Sequence, residues 1–393
     1  MKIRDLINRK SSLHYLFIAM ILLTIIASLN AYFHAKSNFW GGQYTRYNNY
    51  VIFQHSFKHL VENKNLYLLY LDEYADFFKY SPTFATLMLP FYYLPDWFGL
   101  TLWNLLNCIC LFLGIKGLAN LKIGSKVSIL LFILIEMITS IQSHQSNAMI
   151  VGLLLLSFNA MEKKNVLLGS FFIILCFYIK IFGLVACSIF LFYPDKLKFI
   201  LYCLVWSALL FLMPLVFITP AQLSAQYANW WQLLVTDQSS SYGISVLGII
   251  HNWFKIEPSK LFVLLTGTVL LFIPYLRTGL YKDYFFRLLV LSSILIWIVI
   301  FNHKAESPSY IIAVVGCSIW FFIQQKTTTN IILMALVFIL TSLSPTDLFP
   351  KIIRTHIVVP YVLKALPIIL VWLKIIYDLM FDKYIIKETI HNS

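Results

Sequence analysis

The stretch HAKSNFWGGQYTRYNNYVIFQHSFKHLVENKNLYLLYLDEYADFFKYSPTFATLMLPFYYLPD, His34 to Asp96, is the longest reach of this chain without an apolar run long enough to cross a membrane. It holds Glu62, Asp72, Glu73, Asp76 and Asp96 in a chain of 393 residues with only 17 carboxylates. A connection of that length inside a compact protein usually has work to do. The expectation is therefore a reactive face built on residues 34–96 and a scaffold that holds it against the bilayer.

Composition sets the class. Hydrophobic residues make up 60% of the chain and charged ones 12%, where a soluble domain carries roughly a quarter charged. Aromatics at 17% fit a polytopic protein with Trp and Tyr at both headgroup levels. The net charge of +13 is spread over short connectors between apolar runs, which points to membrane lipid and phosphate headgroups and not to nucleic acid. All six cysteines fall inside apolar runs without ligand spacing, so no disulfide and no zinc site is expected.

A helix crossing a hydrocarbon core of about 30 Å needs roughly 20 residues. Tyr15–Phe33 meets that test as a retained signal anchor, and Lys2, Arg4, Arg9 and Lys10 before it predict a cytoplasmic N-terminus. Pro82–Pro95 is apolar but short and carries Pro90, so it reads as a re-entrant or interfacial helix that closes the first loop. Trp97–Ile115 is then the second span. Further spans are predicted near 127–141, 147–160, 165–179, 181–193, 199–218, 259–276, 285–301, 310–324, 330–344 and 358–377. The fold class is all-α, with about twelve crossings and both termini cytoplasmic. Residues 1–393 form a single transmembrane domain: 34–96 the large outer loop with its interfacial helices, 97–378 the scaffold, 379–393 a cytoplasmic tail. No nucleotide-binding glycine loop is present.

The blocks NNYVIFQHSFKHLVENKNLY, DFFKYSPTFATLMLPFYYLPDWFGLTLWNLLN, SHQSNAMIVGLLLL, FYIKIFGLVA and NHKAESPSYIIAVVG, in that order, resemble glycosyltransferase family 87 of the GT-C superfold, from about Trp40 to Gly316. The resemblance implies a multi-pass enzyme of the cytoplasmic (inner) membrane whose active site faces outward. It implies transfer of a hexose, mannose by analogy, from a polyprenyl-phosphate donor to a lipid-linked or envelope glycan. It also implies a departure, because the family commonly has an aspartate where this chain has Asn49, and an amide cannot accept a proton as a carboxylate does. No cofactor or metal is assigned, although some GT-C relatives use a divalent ion. A glycan polymerase or ligase, or a lipid-linked-sugar flippase, would share the membrane character. The flippase should show internal repeats, and the ligase a later, arginine-bearing outer loop.

The chemistry needs a base for the acceptor hydroxyl and cations for the departing phosphate. Asp76 is the first candidate base and Glu306 the second, with Asn49 the third catalytic candidate. Asp72 and Asp76, four apart, would share a helix face with Lys79 one turn on; the alternative is a solvated helix start. Lys180, Lys79, His303 and Lys304 are the candidate phosphate ligands. For Lys180 the competing reading is snorkelling at a helix end. Asp72, Tyr80, Gln145 and Asn147 are candidate sugar or acceptor contacts, the last two competing with a helix-capping role. Asn48 and Asn49 either cap a helix or, in the case of Asn49, touch sugar. Tyr50, Phe53, Phe57, Leu60 and Val61 are spaced to lie in the headgroup plane. His55 and His59 are four apart without a third ligand and stay unassigned. Glu136, an acid within a span, has Lys364 as its candidate partner.

Overall fold

The computed structural model describes residues 10–34, 36–39, 41–236 and 241–381, and they are mostly helical. In chain order the helices are α1 (Lys10–Phe33), α2 (Asn48–Val61), α3 (Pro82–Leu87), α4 (Leu89–Tyr92), α5 (Asp96–Lys116), α6 (Ile123–Phe132), α7 (Leu134–Gln142), α8 (Asn147–Glu162), α9 (Val166–Ile179) and α10 (Gly183–Ala186). They continue as α11 (Lys196–Leu212), α12 (Pro220–Thr236), α13 (Val246–Phe254), α14 (Lys260–Phe272), α15 (Tyr284–Ile300), α16 (Tyr310–Ile323), α17 (Thr328–Leu336), α18 (Lys351–Ile353) and α19 (Leu366–Phe381). A small antiparallel hairpin pairs β1 (Ser37–Phe39) with β2 (Gly42–Tyr44). Asn165, Ser245, Ser259, Asp283 and Thr327 each accept a backbone N–H at a helix start. Such caps are worth about 1 kcal/mol apiece.

Apolar residues on every side decide which helices sit at the centre. In α8 and α16, and in α15 apart from Phe285 and Arg287, nearly every side chain is buried. By contrast α11 and α14 keep most of their leucines and phenylalanines exposed, the arrangement expected where the surrounding medium is lipid. Helices α5 and α8 approach backbone to backbone. A Cβ on Gly152 would come within 2.4 Å of the Cys110 carbonyl carbon, and one on Gly114 within 2.8 Å of Leu155. Asn159 spans the same contact, donating to the Gly114 carbonyl at 2.8 Å. Small residues at a close crossing are how helices gain contact in lipid, where no hydrophobic drive separates one apolar surface from another.

Two charge pairs, one largely and one fully buried, join distant segments. Arg287 of α15 meets Glu162 at the end of α8 through two parallel bonds of 2.7 Å, and Tyr193 donates to the same carboxylate at 2.5 Å. Lys364 donates to Glu136 of α7 at 2.8 Å and to Ser307 at 2.9 Å, so the partner expected for Glu136 is the one found.

Among the described residues three helices are long and apolar enough to cross a membrane: α1, α5, and α11 with its extension to Val216. A fourth crossing arises if α6 and α7, bent by 48°, count as one. Seven shorter apolar helices occupy other stretches where spans were expected. The count of about twelve therefore stands on runs of which many fall short of a full crossing by length. The run expected over 358–377 is helical only from Leu366, because a π-type turn at Arg354–Val358 and a left-handed Val362 interrupt it. Pro82–Pro95 forms two helices of six and four residues, too short to cross.

Helix α2 forms over the amphipathic stretch, but Tyr50, Phe53, Phe57 and Leu60 pack into protein, and only Val61 of that set is exposed. The expectation of a helix lying in the headgroup plane gives way because α3, α4 and α5 offer an aromatic bed: Phe53 lies 5.2 Å from Phe84 and 5.6 Å from Trp103.

Candidate active site

Residues 62–81 contain no helix. The i, i+4 spacing of Asp72 and Asp76 therefore does not put them on one face, and the helical reading of that segment is overturned. Backbone groups that a helix would pair internally are claimed by distant side chains, the requirement any buried segment must meet. Gln226 of α12 donates to the Lys64 carbonyl at 2.7 Å and accepts from Leu66 N–H at 3.2 Å. Tyr44 holds the Leu71 carbonyl, and Tyr67 the Tyr80 carbonyl. Asn48 grips Ala75 from both sides, donating to its carbonyl at 2.6 Å and accepting its N–H at 3.0 Å.

Glu73 anchors the same segment. One carboxylate accepts from Lys58 at 2.9 Å, His55 at 2.7 Å and His59 at 2.8 Å, all three on α2. Burial alone would raise the Glu73 carboxyl, but the bonds from Lys58 and His55 and the neighbouring imidazoles outweigh it and hold the group at about 2. Burial lowers His59, partly offset by Glu73.

Beyond these anchors lies a cavity of ≈ 240 Å³. Its wall includes Asn49 and Phe53 of α2, Asp76, Phe77, Lys79 and Tyr80 of the first loop, Gln145 and Asn147 at the start of α8, Lys180 and Phe182 after α9, Leu234 of α12, and Asn302, Lys304, Glu306 and Ser309 before α16. Nine of the sequence-predicted site residues meet there: Asp76, Glu306, Asn49, Lys180, Lys304, Lys79, Gln145, Asn147 and Tyr80. Asp72 is exposed and neither it nor His303 is part of the lining.

Hydrogen bonds run head to tail along one wall. Lys180 Nζ donates to Asn147 Oδ1 at 2.7 Å, Asn147 Nδ2 to Gln145 Oε1 at 2.8 Å, and Gln145 Nε2 to Glu306 Oε2 at 3.2 Å. Two amides thus stand between an ammonium and a carboxylate, each oriented by the charge at its end. Neither Gln145 nor Asn147 caps α8, whose N-cap is Ser146. Lys180 lies in the break between α9 and α10, its ammonium 5.8 Å from the Tyr80 ring centre. It turns inward to the cavity, which removes the snorkelling alternative. Burial pushes it down, with Glu306 pulling partly the other way, to about 8.

Also in the lining, Lys79 straddles both oxygens of Asp76 at 3.0 and 3.2 Å. Asp76 itself has φ of 83°, a left-handed backbone that a β-carbon disfavours and that persists only where its surroundings impose it. Asn49 donates to the Ser143 carbonyl at 2.9 Å, tying α2 to the turn before α8. That bond needs an N–H, so an ionised aspartate at 49 would face the carbonyl with repulsion. Neither asparagine of the pair caps α2, whose N-cap is Tyr47.

The sequence reading missed Glu73 and Asn48. A signal for Glu73 existed, since His55, Lys58 and His59 recur at three- and four-residue spacing on one helix face, which asks for an acid opposite. Asn48 had none, because its partner is a backbone 27 residues away. Among the described residues no group of three or more His, Cys, Asp or Glu side chains is arranged to hold a metal ion.

The profile of glycosyltransferase family 87 matches residues 77–345, more than half of the chain. The match takes in Lys79, Tyr80, Gln145, Asn147, Lys180, Lys304 and Glu306; it begins one residue after Asp76 and leaves out α2. No curated protein matches the sequence. A crystal structure of ArnT from Cupriavidus metallidurans bound to undecaprenyl phosphate is similar over 94% of this chain and 78% of that one, at 10% identity and a TM-score of 0.49.

Proposed function

Starting from a chain that belongs to glycosyltransferase family 87, we propose that it transfers a hexose, with mannose the first sugar to test, from a polyprenyl-phosphate donor to a lipid-linked or envelope glycan. We infer further that it does so at the outer face of the cytoplasmic membrane with both termini inside. The observation that carries this reading is the oriented chain Lys180, Asn147, Gln145, Glu306 along one cavity wall. It places the Lys180 amine and the Glu306 carboxyl on one cavity with two amides between them and no direct contact.

In the reaction the acceptor hydroxyl oxygen attacks the anomeric carbon, its proton passes to a carboxylate, and the bond from that carbon to the phosphate oxygen breaks. Lys180 is suited to the phosphate because its hydrogen-bond partner is a neutral amide oxygen, which leaves its charge available to an anion. Lys304 and Lys79 line the same cavity and add charge to the departing phosphate. Asp76 is the proposed base, with Glu306 next. Lys79 pairs with both oxygens of Asp76, and a phosphate that attracts Lys79 would release the base at the moment it is needed. Tyr80, Gln145 and Asn147 offer a ring face and amides to sugar hydroxyls, with Asn49 beside them. Asp72 and His303, outside the lining, remain candidates only for a longer acceptor.

The test is transfer from undecaprenyl-phosphate-[14C]mannose and its glucose counterpart into membrane glycolipid by purified protein in proteoliposomes. Asp76→Asn and Glu306→Gln are expected to lower kcat by about 100-fold or more for whichever carboxylate is the base. Full activity in both variants would remove the proposed chemistry. Access of a membrane-impermeant maleimide to cysteine introduced at Asn63 or at Lys326 reports sidedness.

A further inference from the structure

Asp76 stands in a backbone conformation that costs energy, and two separate devices hold the segment on its N-terminal side. Asn48 uses both ends of its amide on the two polar backbone groups of Ala75, the residue immediately before Asp76. Glu73, three residues before Asp76, draws hydrogen bonds from three side chains of α2, and His59 among them is fully buried, its ring 4.0 Å from that of Tyr70. Both anchors run to α2, whose next residue after Asn48 is the cavity-lining Asn49. The segment is thus fixed to the helix that forms part of the cavity, while the Asp76 carboxylate is left half-exposed to it. Asp76 closes a local bond as well, its carboxylate accepting the Phe77 N–H at 2.7 Å, so the two anchors fix the chain up to Ala75 and the local bond holds the turn that follows.

We propose that Asn48 is a positioning residue for Asp76, with Glu73 as the second anchor, so that the clamp and not the substrate sets where the base stands. The inference rests on the reading of Asp76 as base. An asparagine is the side chain the task calls for. Aspartate would keep the acceptor for Ala75 N–H but set a negative oxygen against the Ala75 carbonyl, and alanine would lose both bonds.

The experiment compares Asn48→Ala, Asn48→Asp and Asp76→Asn with the double variant Asn48→Ala/Asp76→Asn, using undecaprenyl-phosphate-[14C]mannose as donor. Deuterium exchange of the segment 73–77 is followed in parallel on the same purified proteins. Misplacing a reacting group by about an ångström costs on the order of 100-fold. Asn48→Ala is expected to lower kcat by about 10- to 100-fold with the donor KM within about twofold, and to speed exchange at 73–77. In the Asp76→Asn background it should add nothing. An Asn48→Ala enzyme with unchanged kcat, or unchanged exchange at 73–77, overturns the clamp while leaving the base reading intact. A fully active Asp76→Asn overturns the base reading, and the clamp inference falls with it. A loss of kcat in Asn48→Ala that is fully additive with Asp76→Asn also overturns it, because the residue would then act elsewhere. Should Asn48→Ala fail to fold, Asn48→Asp carries the same comparison through the exchange rates, which need no turnover.

Discussion

Helix α8 has a charged cluster at each end, and the two are built on opposite plans. At Glu162 a carboxylate receives the two-pronged bond from Arg287 and a third from Tyr193, while Arg287 Nη1 donates to the Tyr281 carbonyl. Both side chains are only about a tenth exposed, at 11% and 12%, so the pair is closed. At Asn147 the arriving cation, Lys180, meets a neutral oxygen, and the nearest link in the chain to a carboxylate is two amides away. A structural ion pair consumes its charge; a ligand site keeps it unspent. On the proposed function, the contrast separates scaffold from chemistry along a single helix of 16 residues.

The comparison breaks most visibly at the closed end. Arg287→Ala would strand a nearly buried carboxylate, and removing one member of such a pair costs about 3–5 kcal/mol. A large drop in the melting temperature of detergent-purified protein is expected, with activity per folded molecule little changed. Lys180→Ala should do the reverse: transfer falls by about 100- to 1,000-fold, as for loss of one stabilising charge at a reacting centre, while melting stays near that of the parent protein. Parallel losses of stability and activity in both variants would erase the distinction. The open end also predicts a pH limb. Lys180 near 8 must be protonated to hold an anion, so donor affinity falls as pH rises through about 8, and Lys180→Arg should move that limb upward.

The smallest effect concerns the clamp on the first loop. Glu73 is held below, and burial holds His59 below, its ordinary value. Each shift contributes stability that is full above the unfolded-state pKa and fades on acidification, through about 6.5 downward for His59 and from about 4.5 toward 2 for Glu73. Melting of the parent protein should therefore decline from pH 7 to pH 4; because Glu73 partly offsets the lowering of His59, Glu73→Gln should steepen the limb below about 6.5 and flatten the one below about 4.5, read by a melting series across buffers.

Much of this was legible in the sequence, and the limits have physical reasons. Composition and run length gave the membrane class, and the scarcity of carboxylates made Asp76 and Glu306 conspicuous before any contact was known. Lys180 stood out because an ammonium beside an apolar run needs a partner. The path of residues 62–81 was hidden: Leu66, Tyr70, Tyr74 and Phe78 recur every four residues as a helix would have them, yet the backbone bonds go to Gln226, Tyr44 and Asn48. Spacing cannot reveal a competitor that lies far along the chain. The number of full crossings was hidden for a related reason, since apolar runs do not announce where a bend or a π-type turn shortens the helix within them.

The contact at Gly152 carries a consequence for genetics. An extra methyl there would press on the Cys110 carbonyl and the Leu111 amide nitrogen, atoms of a main chain that cannot rotate away. The two rods would have to part, and the displacement would travel five residues to Asn147 and its lysine. An allele at this position would touch no sugar and no phosphate, yet a screen for inactive mutants would score it among the active-site hits.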